Sequence, residues 1–170
     1  KPELYFSMIQ TAEVVSERYN ISREEQDEYG LQSQKRMASA QEKGFLDKEI
    51  FPLETQKIVK NKETGEITKE TVLLKKDEGN RPETSIEGLK GLEPVMGPNS
   101  FITAGNASQL SDGASASVIV NSKIAEQLNL EPLGAFKGIA ISGLEPDEMG
   151  IGPVYAIPKL LKKTGLSIDD

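Results

Sequence analysis

The chain contains no cysteine, no histidine and no tryptophan. Without a thiol or an imidazole it cannot supply a thiolate nucleophile, a Cys/His zinc site or an imidazole base. A Ser-His-Asp triad is excluded within it for the same reason. No disulfide framework is possible, so no feature marks the chain as secreted. No apolar run approaches the length of a membrane span. The longest, Val118-Ile119-Val120 with its small neighbours, suits one buried strand. Positive charge is in deficit: 20 Lys and Arg face 27 Asp and Glu, a net −7. That balance argues against a general nucleic-acid binder, which needs a basic footprint to neutralise phosphates.

What remains is a chain of 170 residues, one domain of ordinary size or parts of two. A hydrophobic share of 36% and a mean hydropathy of −0.42 are polar for a globular domain. The apolar residues are nevertheless too numerous and too well patterned for disorder. Lys1-Pro2-Glu3 is neither an initiator methionine nor a signal or transit peptide. Ser167-Ile168-Asp169-Asp170 follows directly on a helical pattern. Both ends look cut, and the expectation is one piece of a larger fold.

Residues 1–48 read as helical. Ala12, Val15 and Tyr19 share one face, and Asn20-Ile21 breaks the pattern. Ser22-Arg23-Glu24-Glu25 has the form of a capping box and opens a helix expected to reach Lys43 and stop at Gly44. Tyr29, Ser33, Met37 and Ala40 form its expected buried stripe. Residues 49–60 and 66–75 read as a long polar hairpin around the turn Lys62-Glu63-Thr64-Gly65. Lys57, Lys60, Lys62, Lys69, Lys75 and Lys76 stand there among Glu54, Glu63, Glu66 and Glu70. Two readings are open: a solvated hairpin whose charges protect its edges, or a mildly cationic patch for an anionic ligand. Asp77-Glu78-Gly79-Asn80-Arg81-Pro82 is turn chemistry. Arg81 suits either a surface ion pair or a phosphate clamp, since a guanidinium fork matches phosphate oxygens. Ile86, Leu89 and Leu92 suggest a short helix, after which Pro94, Gly97, Pro98 and Asn99 open a loop.

The stretch from Thr103 to Ser117 holds almost nothing larger than Leu or Gln. Small side chains allow either a tightly packed turn or a backbone surface shaped for a slender ligand. Asn106-Ala107-Ser108 matches a glycosylation sequon, discounted without a secretory signal. Ser122 is the expected cap of a short helix to about Leu128, and residues 133–143 read as a strand. Residues 146–152 read as a loop. Pro153 fits the first position of a helix whose inner face is Ile157, Leu160, Leu161 and Thr164, with Gly165 as its stop. Gly150-x-Gly152 lacks the third glycine of a dinucleotide fingerprint, because Tyr155 stands there. No internal repeat or low-complexity stretch is present.

Four separated segments together resemble the thiolases, the acetyl-CoA acetyltransferases and 3-ketoacyl-CoA thiolases. They are Met8–Glu13 with Ile21–Asp27; Asp77–Thr84; Thr103–Ser108 through Ser111–Ala114; and Met149–Pro158. The resemblance runs through essentially the whole chain. It implies an α/β, thiolase-like fold with a layered αβαβα core. Residues 1–102 would be the inserted loop domain that covers coenzyme A, 103–129 the end of the N-terminal half, and 130–170 the start of the C-terminal half. A complete thiolase is roughly twice this length and multi-domain. The resemblance sets the family's nucleophilic Cys before Lys1. Its Asn-Glu-Ala-Phe segment, its Gly-His-Pro segment and its second Cys come after Asp170. The missing Cys and His then fit the position of the cut, and no catalytic residue is assigned within the segment.

Carried over by position, Arg81 matches the arginine at the adenine and phosphate end of coenzyme A, and Met96 an apolar contact near the adenine. Ala104, Ser108 and Leu110 match the small-residue stretch that lines the pantetheine channel, with Ser108 bonding the pantetheine amide. Met149 matches the methionine beside the acyl pocket. Ser7-Met8-Ile9 departs from the His-Met-Gly of many short-chain thiolases, which counts against a coenzyme-contacting His and an acetoacetyl-specific pocket.

The implied chemistry is acyl transfer between acyl-CoA and CoA through a Cys thioester, stabilised by an oxyanion hole. Its direction is either thiolysis of 3-ketoacyl-CoA in β-oxidation or condensation of acetyl-CoA. Coenzyme A is a substrate; no cofactor and no metal are expected. The implied partners are acyl-CoA, CoA and further copies of the chain in a dimer or tetramer, with no nucleic acid. The expected compartment is the cytoplasm, or an organelle matrix in a eukaryote. Two other classes compete: a non-catalytic CoA- or lipid-binding or oligomerisation module of thiolase ancestry, and a soluble α/β scaffold.

Overall fold

Helices dominate the regular structure, and local hydrogen bonding explains where they start. The computed structural model describes residues Lys1–Asp170 and divides them into two compact units. The first comprises Lys1–Ser22, Pro94–Ile102 and Ala107–Asp170; the second comprises Arg23–Glu93 and Thr103–Asn106.

In the first unit a 3-10 turn, Pro2–Tyr5, leads into α1, Met8–Arg18. Ser7 Oγ accepts the Gln10 amide at 3.2 Å, and Gln10 Oε1 accepts the Ser7 amide at 2.8 Å. This reciprocal pair satisfies two amides that a helix start otherwise leaves open. The buried residues of α1 are Thr11 and Ser16, and each turns its hydroxyl back to a carbonyl of its own helix at 2.9 Å. Such back-bonding lets small polar side chains enter a packed face. Further along come α4, Ser122–Gln127, a 3-10 turn at Pro146–Ile151, and α5, Gly152–Thr164. Pro153 stands in the first turn of α5, and Gly165 ends it at φ 72°, a conformation that glycine adopts without a Cβ clash. Residues 138–141 run alongside α5. Lys159 Nζ donates to the Ile141 carbonyl at 2.8 Å, and Gly138 leaves room for Leu160 and Thr164.

In the second unit α2, Arg23–Glu42, is followed by strands β1, Leu53–Lys60, and β2, Ile67–Leu74, then by α3, Ile86–Lys90. The strands pair antiparallel from Leu53 opposite Leu74 to Lys60 opposite Ile67, with Lys57 facing Glu70. Asn61 closes the turn by accepting the Glu63 and Thr64 amides on its side-chain oxygen. Only Val59 and Val72 are partly covered, so both faces of the hairpin are solvated. Few side chains are fully covered: Leu89 is the buried apolar residue of this unit, with Asp27 and Thr103 fully buried polar ones, and Ile102 and Ala125 are the buried apolar residues of the first unit.

Several expectations are corrected. The stripe Tyr29, Ser33, Met37 and Ala40 is not the packed face of α2: Tyr29 is 73% exposed and Met37 39%. The packed face lies about 100° round the helix and is polar. Val118-Ile119-Val120 and residues 133–143 form no strand. Val118 and Ile119 are 93% and 88% exposed, Phe136 80% and Ile141 75%. A strand exists only through pairing, and the one sheet here is the hairpin β1–β2. The cap of α4 is Asn121, whose side chain accepts the Lys123 amide at 2.9 Å, with Ser122 one residue inside the helix. The expected loop 146–152 is a 3-10 turn running directly into α5.

Candidate ligand-binding segments

One polar stripe of α2 organises the second unit. Arg23, Asp27, Gln34 and Gln41 fall within about 40° of one another around the helix, and each ties down a different segment. Arg23 pairs with Asp27 at 2.7 Å, and its other arm donates to the carbonyls of Leu89 and Leu92 at 2.7 and 3.2 Å. It thereby adds a charged donor to two carbonyls at and just beyond the C-terminal end of α3, of which that of Leu89 also accepts the Leu92 amide at 3.1 Å. Asp27 Oδ1 accepts the Asn106 side-chain amide at 3.1 Å, and Asn106 Oδ1 accepts the Thr103 backbone amide at 2.8 Å. The turn 103–106 is therefore fastened to α2 through a carboxylate with no exposed surface. Gly105 packs so closely beneath Leu89 that a Cβ there would come within 2.7 Å of Leu92 and closer still to Leu89. Gln41 donates to the Asp77 carbonyl at 3.1 Å.

Arg81 and Ala104 are the two candidate ligand contacts in this unit, and each stands on a segment the stripe holds. Gln34 Oε1 accepts the Arg81 amide at 2.9 Å and the Asn80 side-chain amide at 2.8 Å. Asn80 also donates to the Gln34 carbonyl at 2.9 Å, and Thr84 Oγ1 donates to the Arg81 carbonyl at 2.7 Å. The Arg81 side chain is exposed and enters none of the chain's four ion pairs. Beside it, Ser33, Gln34, Met37, Asp77, Gly79 and Asn80 line a cavity of about 210 Å³. Asn80 Oδ1 is buried there without a hydrogen-bond partner. Ala104 is exposed on the 103–106 turn.

Met96, Ser108, Leu110 and Met149 belong to the first unit and stand exposed on three separate segments. Met96 lies in a turn closed by the Val95 amide on the Ile102 carbonyl at 2.8 Å. The Glu13 carboxylate steadies that segment by accepting the Phe101 and Ile102 amides at 2.7–3.1 Å. Ser108 Oγ donates to the Gln109 carbonyl at 3.1 Å, and Leu110 has no cover. Met149, 46% exposed, sits on the turn Pro146–Ile151. Arg18 of α1 grips that turn, reaching Asp147 at 2.5 Å and Glu148 at 2.7 Å, while Tyr19 donates to Glu148 at 2.9 Å. The Arg18 guanidinium holds both carboxyls below their ordinary range, with the Tyr19 hydroxyl helping at Glu148. The same bonds raise Arg18 and Tyr19.

Sequence reasoning missed the holding residues Arg18, Arg23, Asp27, Gln34 and Asn106. A signal was available for α2, since polar residues recurring at four and seven mark one helix face as surely as apolar ones do. The exposed side chains can bind, through a guanidinium, a hydroxyl and apolar surfaces. No Cys or His is available to react covalently. No cluster of three or more acidic side chains is placed to hold a metal ion, and no helix is long and apolar enough to cross a membrane.

Comparison with known proteins gives a consistent picture. Residues 5–123 match the model of the thiolase N-terminal domain, and residues 130–170 that of the thiolase C-terminal domain. The peroxisomal 3-ketoacyl-CoA thiolase of Homo sapiens is 45% identical over 94% of this chain and 37% of its own length. The 3-ketoacyl-CoA thiolase of Bacillus subtilis (strain 168) is 40% identical over 99% of this chain and 43% of its own length. The crystal structure of human mitochondrial 3-ketoacyl-CoA thiolase in complex with CoA superposes with a TM-score of 0.80 at 38% identity, over 99% of this chain and 39% of that one. The chain thus spans about two-fifths of the length of these relatives, and its fold is of the thiolase-like α/β type.

Proposed function

The chain belongs to the thiolase family, and from that membership we propose that it is the central segment of an acyltransferase. In this reading the whole protein moves an acyl group between acyl-CoA and CoA through a Cys thioester, by thiolysis of a 3-ketoacyl-CoA or by condensation of acetyl-CoA. The observation that carries it is identity of 40–45% to 3-ketoacyl-CoA thiolases over 94–99% of the chain.

The segment's own part is to bind and orient. Residues 1–102 cover the coenzyme, and 103–129 and 130–170 belong to the two catalytic halves. Arg81 offers a guanidinium to a phosphate group, its side chain exposed on a loop whose backbone is tied. Met96 gives an apolar contact near the adenine. Ala104, Ser108 and Leu110 border the pantetheine arm, with Ser108 bonding its amide, and Met149 borders the acyl group. Holding the long arm of the thioester lowers the entropic part of the barrier. The nucleophile and the acid–base groups come from outside these residues, since 170 residues hold no Cys and no His. Coenzyme A is a substrate in this scheme, no metal takes part, and the protein works as a homo-oligomer.

The reading is tested by incubating the full-length protein with acetoacetyl-CoA, a longer 3-ketoacyl-CoA and free CoA. Loss of the 3-ketoacyl thioester with matching appearance of acyl-CoA is expected. CoA binding without turnover would turn the reading to a non-catalytic module of thiolase ancestry.

A further inference from the structure

Most exposed loop residues keep backbone freedom, but both peptide groups of Arg81 are tied. Its amide donates to Gln34 Oε1 on α2 at 2.9 Å, and its carbonyl accepts the Thr84 hydroxyl at 2.7 Å and the Thr84 amide at 3.1 Å. The preceding residue is fixed to the same point, because Asn80 donates to both oxygens of Gln34 at 2.8 and 2.9 Å. Gln34 is half-buried and on the face of α2 that also carries Asp27. The Arg81 side chain is left exposed. A cation on a pre-ordered backbone binds an anion with less ordering cost than one on a mobile loop, because that cost is met on folding.

We propose that Gln34 is a positioning residue for Arg81: its side-chain oxygen fixes the Asn80–Arg81 backbone so that the guanidinium is presented to a phosphate group of the acyl carrier. The inference rests on the proposed role of Arg81 at the coenzyme. Gln34 touches no ligand in this scheme and acts only through the loop. Its side-chain oxygen accepts both the Asn80 and the Arg81 bonds, so chemistry at that one atom decides its effect.

The experiment uses the full-length protein and steady-state thiolysis of acetoacetyl-CoA, with CoA as the varied substrate. Gln34→Met keeps the side-chain length and removes the acceptor, whereas Gln34→Glu keeps an acceptor at the same place. Gln34→Met is expected to raise KM for CoA about three- to tenfold with kcat within about twofold. Gln34→Glu should stay within about twofold of the parent, and Gln34→Met should add no further rise to an Arg81→Ala protein. Thr84→Val removes the hydroxyl bond to the Arg81 carbonyl, leaving only the backbone amide bond there, and should raise KM in the same direction, which keeps the test usable if Gln34→Met does not fold. An equal rise from Gln34→Met with and without Arg81, or a Gln34→Glu protein as impaired as Gln34→Met, overturns the proposal. If Arg81→Ala raises KM and neither Gln34→Met nor Thr84→Val does, the inference alone fails. If Arg81→Ala itself leaves KM unchanged, the role of Arg81 beneath it fails as well.

Discussion

Asp27 is a charged side chain with no exposed surface, neutralised by Arg23 at 2.7 Å and bonded to Asn106 at 3.1 Å. Removing one partner of a buried ion pair leaves the other uncompensated, so Asp27→Ala should destabilise the full-length protein by about 3 kcal/mol in denaturant unfolding. Asp27→Asn keeps an acceptor for the Asn106 amide and should cost clearly less; equal losses would mean that the pair contributes little through Asn106. Gly105 is a second sensitive point, because a Cβ there meets Leu92 at 2.7 Å and lies nearer still to buried Leu89. Gly105→Ala should cost about 1–3 kcal/mol by overpacking, and an unchanged unfolding midpoint would show that Leu89 and Leu92 yield freely. At this scale the sequence marks Arg81 as a loop residue through its local turn chemistry. It conceals side chains like Asp27, since Arg and Asp four apart on a helix ordinarily form a weak surface pair.

Between α1 and the turn Pro146–Ile151 the contact is electrostatic. Arg18 grips Asp147 and Glu148, and both carboxyls are held below their ordinary range by that guanidinium. Because the unfolded chain binds these protons more readily, this stabilisation is fully present above the ordinary carboxylate range. It is lost as the pH falls through the depressed folded values. The melting temperature of the full-length protein should therefore fall below about pH 4 in part through this cluster. Arg18→Met should lower it at neutral pH and flatten the acid decline; curves that stay parallel would show that the two carboxyls do not draw pH-dependent stability from Arg18, and coincident curves that the cluster does not stabilise the fold. Among elements, the hairpin and the stop of α5 at Gly165 were legible because turn and cap chemistry is local. The packed face of α2 was not, because apolar periodicity points to Tyr29 and Met37 while the helix actually packs through Arg23, Asp27, Gln34 and Gln41.

Taken as a whole, the molecule leaves much apolar surface uncovered: Leu110, Val118, Ile119, Leu133 and Phe136 are each at least 80% exposed. The composition of 118–120 and 133–143 reads as strand, but pairing is a non-local property, and no other segment of this chain pairs with them. The fold class was nonetheless legible in four separated motifs, since backbone turns such as 103–106 demand particular small and polar residues whatever surrounds them. The chain expressed alone should bind a hydrophobic dye strongly and show no thiolysis; activity surviving stringent purification would contradict a nucleophile outside it. The most direct measurement is thiolysis of acetoacetyl-CoA by the full-length protein beside its Arg81→Ala variant, with CoA varied. Turnover by the parent, with KM for CoA raised about tenfold and kcat nearly kept in the variant, is the predicted result. A parent that binds no CoA and turns over no 3-ketoacyl-CoA, or a variant with an unchanged KM, would contradict the account of this chain as the coenzyme-holding segment of a thiolase.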